Sequence, residues 1–123
     1  MNKAARGEIW EVNFDPTIGA EIKKIRPALV VNEPHVGKLP LVSVVPITEW
    51  KPAYGEYVWF TYLAPTTENG PTKPSGADAF QIKSLSELRL LRHLGRSNER
   101  NLQAVAAAVA LCVGYQLPQR SSL

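Results

Sequence analysis

Cysteine occurs once and histidine twice in these 123 residues. A lone Cys112 can form no internal disulfide, so the fold must stand on its core, and a reducing cytoplasm suits the chain. Cys112 sits in the Ala- and Val-rich run 104–113, the setting of a buried, unreactive thiol. His35, His93 and Cys112 show no metal-ligand spacing, and neither a metal ion nor another cofactor is expected. Each histidine reads as a solvated or internally bonded imidazole, His35 in a turn-rich stretch and His93 between Arg92 and Leu94. No Gly-rich phosphate loop and no nucleophile elbow occur, which sets aside nucleotide-dependent and serine-hydrolase chemistry. Long apolar runs are missing as well. The stretch 104–113 is too short to cross about 30 Å of hydrocarbon, and residues 1–7 carry no apolar signal, so a soluble, unexported protein without a membrane partner is expected.

Present instead is enough chain for one domain, 1–123, able to bury roughly 65% of its unfolded surface. The 14 basic and 11 acidic residues leave a net charge of +3, a balance that suits a polyanion partner without demanding one.

Period-two patterning dominates. Trp10, Val12 and Phe14 alternate with Glu11 and Asn13, predicting a half-buried strand over 8–14. Residues 27–31, Pro-Ala-Leu-Val-Val, predict a strand buried on both faces. A third strand follows over 41–48, where Pro46 implies an edge position or the strand's end. Further strands are predicted over 57–63, 77–84 and 90–96, with a long breaker-rich loop at 64–76 and one helical turn at 86–88. A helix closes the chain, capped by Ser97, striped by Leu102, Val105, Ala106, Val109, Cys112 and Val113, and ended by Gly114. With no helical crossover between strands, the fold class is mainly β with a C-terminal helix, a small antiparallel sheet or partly closed barrel.

The polar residues gather where predicted strands end: Glu21, Lys23, Lys24, Arg26, Thr48, Asp78, Gln81 and Lys83. Arg26 precedes Pro27, and a residue before proline is pushed into extended conformation, so its guanidinium leaves the backbone where a loop becomes a strand. Gly19 upstream allows that loop to fold back closely. On the residues alone, Arg26 reads equally as a site residue or as a solvated strand-end arginine, and Glu21 as a proton carrier or as the ion-pair partner of Lys23 or Lys24.

Three blocks in order, Arg6-Gly7-Glu8-Ile9-Trp10, Asp15-Pro16-Thr17-Ile18-Gly19-Ala20-Glu21 and Arg26-Pro27-Ala28-Leu29-Val30-Val31, strongly resemble the MazF/PemK family of toxin endoribonucleases. Val45-Pro46-Ile47-Thr48 matches that family's strand ending in threonine, and Asp78 with Gln81-Ile82-Lys83-Ser84 resembles its second signature. The resemblance covers about residues 6–115, and Ala20 stands where a serine is common.

The resemblance implies a small SH3-like antiparallel barrel, shared with the CcdB gyrase poisons and working as a homodimer. It implies metal-independent cleavage of single-stranded RNA and a cognate antitoxin as the natural partner. Arg26, Thr48 and Glu21 are then the expected catalytic residues, and Gly19, Lys23, Lys24, Asp78 and Gln81 the expected RNA-binding ones. RNA carries its own nucleophile in the 2′-hydroxyl, and the planar fork of Arg26 suits a phosphate gaining charge. Trp50, Tyr54 or Phe14 would stack an unpaired base if exposed, and Lys73 would add attraction to the backbone. The alternative is a CcdB-like, non-enzymatic toxin that binds a protein such as DNA gyrase. Such a toxin would carry an aromatic-Gly-hydrophobic tip where this chain ends Pro118-Gln119-Arg120-Ser121-Ser122-Leu123. A third possibility is an SH3-like peptide-binding module with a basic rim.

Overall fold

The alternation around Trp10 and Val12 forms β1 (Glu8–Asn13) in a computed structural model that describes residues 4–115. The tail at 116–123 lies outside the described residues, as do residues 1–3. Along the chain come β2 (Ile25–Val30), β3 (Leu41–Glu49), a 3-10 turn (Pro52–Glu56), β4 (Phe60–Leu63) and β5 (Ser75–Asp78). A second 3-10 turn (Ala79–Gln81), β6 (Lys83–Ser86), a third turn (Glu87–Arg89), β7 (Leu90–Arg96) and α1 (Glu99–Cys112) complete it. All pairings are antiparallel, in the order β4-β5-β3-β2-β1-β7, with β6 also on β3. No helix among the described residues is long and apolar enough to cross a membrane.

β3 is the axis of the sheet. It pairs with β2 along one edge, and along the other with β6 at residues 41–44 and with β5 at 47–49. Pro46 therefore lies inside a central strand, correcting the edge or strand-end expectation. The N and O of Ser43 both face the β2 side, so alternation turns the nitrogen of Pro46 to the other edge, where β6 has stopped and β5 has not begun. A missing donor costs nothing in that gap.

The predicted strand over 77–84 is two strands with a turn between, making seven where six were expected. Asp78 accepts a hydrogen bond from Phe80 N, which folds Ala79–Gln81 into a 3-10 turn and lets one run of sequence serve both halves of β3. The expected strand over 57–63 begins only at Phe60, and the expected loop over 64–76 gives way to β5 at Ser75. Asn98, not Ser97, caps α1: its side chain accepts from Asn101 N at 2.7 Å, while Ser97 is buried and bonds to Asn98 O. α1 buries Leu102, Val105 and Ala108, a narrower stripe than the periodicity implied.

β2 is buried on both faces, as its run of apolar residues predicts. Ala28 and Val30 join a core with Trp10, Val12, Phe14 and Leu90, while Leu29 joins a second core with Val45, Ile47, Leu63 and the α1 residues Leu102 and Val105. The sheet does not close into a barrel. β4 and β7 remain its two ends, and the loop after β4 spans them through Arg96 N to Glu68 O at 2.7 Å.

Candidate active site

The connection from β1 to β2 is a loop held by its own polar atoms. Phe14 N bonds to Lys24 O, and Lys24 N to Asp15 Oδ1, both at 3.0 Å, which holds Lys24 at the left-handed φ of +70°. At the tip, Gly19 has φ +59° and Glu21 Oε1 accepts from Ile18 N at 2.7 Å. Arg26 emerges at the second position of β2, as the Arg-Pro step predicts, and its Nε donates to Lys23 O at 2.9 Å. Among the described residues its two terminal nitrogens have no hydrogen bond or ion pair. They are the donors available for an anion.

The register of β2 on β3 pairs Ala28 with Pro46. Arg26 lies two residues before Ala28 and Thr48 two residues after Pro46, so both come from the same end of this strand pair. Thr48 is half-buried, with no hydrogen-bond partner for its hydroxyl among the described residues. Both residues line an open cleft of about 390 Å³, together with Glu11, Glu49, Lys73 and Arg92. Glu11 and Arg92 face each other at 3.6 Å. The cleft thus offers three cationic side chains and two carboxylates around the Thr48 hydroxyl.

Glu21, Gln81 and Lys83 stand elsewhere. With Ile22, Phe80 and Ile82 they line a separate hollow of about 210 Å³, where Glu21 Oε2 lies 3.8 Å from Lys83 Nζ. The ion-pair reading of Glu21 holds, with Lys83 in the place of Lys23 or Lys24. Asp78 is only 7% exposed: Oδ1 accepts from Phe80 N and Oδ2 from Gln81 Nε2, each at 3.1 Å. Both of its carboxylate oxygens are thus engaged within the protein. Gln81 in turn accepts from Ile22 N, while Lys23 and Lys24 are exposed on the loop.

The sequence model of a family described as PemK-like, MazF-like toxin of type II toxin-antitoxin system matches residues 5–113. The chain belongs to this family. It is thereby a toxin of the endoribonuclease type, and the CcdB-like alternative is not favoured. Endoribonuclease MazF9 of Mycobacterium tuberculosis is 33% identical over 112 residues, which cover 86% of this chain and 92% of that relative. The crystal structure of MazF from Deinococcus radiodurans superposes with a TM-score of 0.76 at 22% identity, over 91% of this chain and 97% of the other. An endoribonuclease from a mycobacterial species, solved in complex with its cognate antitoxin, gives 0.71 at 18% identity over 94% and 99%. At such identities the two structures speak for the fold alone.

Four side chains of this PemK/MazF toxin escaped the sequence reading, Glu11 and Glu49 at the cleft among them. Arg92 borders the cleft from β7, and Phe80, 72% exposed, borders the hollow of Glu21. Phe80 did break the polar-apolar alternation of 77–84, and that break was the available signal. Phe14 is core, at 1% exposure, and Trp50 and Tyr54 are spent on an aromatic cluster in which Tyr54 stacks on Phe60 at 4.0 Å. Cys112 is partly buried, not fully as expected, and burial with the nearby Asp78 charge pushes its thiol up. Among the described residues no group of three or more His, Cys, Asp or Glu is placed to hold a metal ion.

Proposed function

We propose that this PemK/MazF toxin cleaves single-stranded RNA across the cleft of Arg26 and Thr48, with the substrate's 2′-hydroxyl as nucleophile and no metal ion. The 2′-oxygen attacks phosphorus as its proton leaves to a base, the bond from phosphorus to the 5′-oxygen breaks, and that oxygen takes up a proton. One fragment ends in a 2′,3′-cyclic phosphate and the other in a 5′-hydroxyl. The observation that carries this reading is the cleft shared by Arg26, with two unspent donors, and Thr48. Arg26 grips the phosphorane oxygens through its fork, and Thr48 adds one hydrogen bond to the same group. Lys73 and Arg92 draw in the backbone, and Lys23 and Lys24 extend that attraction along the loop past Gly19. Phe80 offers an exposed face for an unpaired base beside Gln81.

Glu21 serves as proton relay only after exchanging Ile18 N and Lys83 for substrate. Glu11 and Glu49 are the carboxylates that already border the cleft. An antitoxin segment rich in Asp and Glu, bound in the same cleft of a homodimer in the cytoplasm, would compete with RNA for Arg26 and Lys73. The test is a long unstructured RNA incubated with the purified protein in saturating chelator. Cutting at a few short motifs is the expected result; cutting that appears only when a divalent ion is restored contradicts the metal-free route.

A further inference from the structure

We propose that buried Asp78 aims Arg26, acting through Gln81 and the loop backbone at Ile22 and Lys23. The inference rests on Arg26 being the phosphate-binding group. Four links make a continuous chain. Asp78 Oδ2 accepts from Gln81 Nε2 at 3.1 Å, and Gln81 Oε1 accepts from Ile22 N across 59 residues of sequence. The next residue, Lys23, presents its carbonyl to Arg26 Nε at 2.9 Å. Between residues 16 and 23, two hydrogen bonds of the described residues leave the loop, the one from Ile22 N to Gln81 and the one from Arg26 Nε to Lys23 O, and both belong to this chain of links.

The polarity of the relay is set at its buried end. A primary amide presents its oxygen in either of two orientations, and the partners decide which. The Asp78 carboxylate can only accept, so the Gln81 nitrogen must face it and the oxygen must face Ile22 N. Phe80 N holds the other carboxylate oxygen, which fixes Asp78 itself. Asp78 and Gln81 are therefore positioning residues in this reading. The direct-contact alternative has the Gln81 amide read a base edge.

Four proteins separate the two: the parent, Gln81→Glu, Gln81→Met and the double variant Asp78→Asn/Gln81→Glu. Gln81→Glu sets two acceptors face to face, and Gln81→Met leaves Ile22 N without a partner. Each is expected to slow single-turnover cleavage about a hundredfold, the scale of a small misplacement of a reacting group, while RNA affinity and melting temperature change little. The double variant reverses donor and acceptor between positions 78 and 81, since the new asparagine donates to the new glutamate and the glutamate still accepts from Ile22 N. It is expected to recover the rate to within a few-fold. The NMR signal of the Arg26 Nε–H group, assigned by its loss in Arg26→Lys, should move in the single variants and return in the double. A double variant as slow as Gln81→Glu, or an Arg26 signal indifferent to position 81, overturns the relay. If the parent cuts no RNA yet the Arg26 signal follows this pattern, the relay stands and the ribonuclease reading falls.

Discussion

Arg26 is asked to stabilise charge that grows only as the phosphorane forms, so its loss should reduce rate far more than RNA affinity. Removing one preorganised donor of this kind costs about 2.7–4 kcal/mol, or roughly a hundred- to thousandfold. Arg26→Ala is expected to lose that much single-turnover rate, Arg26→Lys to recover only part of it, and Thr48→Ala to lose less. None should melt far below the parent, because the terminal nitrogens of Arg26 hold nothing in the fold. An Arg26→Ala protein that cuts at a near-parental rate would remove the residue from the chemistry. Arg26 was legible in the sequence because its placement is a local matter, fixed by the proline that follows. Asp78 was not, since its burial depends on a turn that splits a strand and on packing by a helix twenty residues on. Glu21 was half legible: its ion pair was foreseen, but the partner, Lys83, comes from a strand sixty residues away.

At the scale of the element, hydrophobic period two found β1, and an unbroken apolar run found β2, because the first has one face to bury and the second has two. Neither could find the change of partner along β3, which accounts for both the tolerated Pro46 and the split of β5 from β6. The same limit hid how the sheet ends meet. A Cβ at Gly95 of β7 would stand 2.1 Å from Glu68 O and 2.7 Å from the carbonyl carbon of Asn69, so the loop after β4 can lie against β7 only over a glycine. Gly95→Ala must push that loop away and break the bond from Arg96 N to Glu68 O. The expected cost is about 1–3 kcal/mol of stability by denaturant unfolding. A variant as stable as the parent would mean that the loop is not seated there.

For the whole molecule, stability should depend on pH through Glu8. Burial acts to raise its pKa, but hydrogen bonds from Ala5 N and Trp10 Nε1, with the charges of His93 and Arg96, outweigh burial and hold it below the ordinary value of 4.5. A carboxylate depressed by folding stabilises above its unfolded pKa and loses that contribution as pH falls through the folded one. Glu8→Gln should therefore melt below the parent above about pH 5 and converge with it in stronger acid. A gap that persists unchanged into acid would assign Glu8 a purely steric role. Light scattering should give twice the 13.6 kDa chain mass, as the proposed homodimer requires; a monomer at tens of micromolar would contradict it. The central claim, cleavage by the RNA's own 2′-hydroxyl, is tested most directly by the chemistry of the ends. Fragments made in chelator should carry a 2′,3′-cyclic or 3′-phosphate on one side and a free 5′-hydroxyl on the other, whereas 5′-phosphate ends would contradict the account.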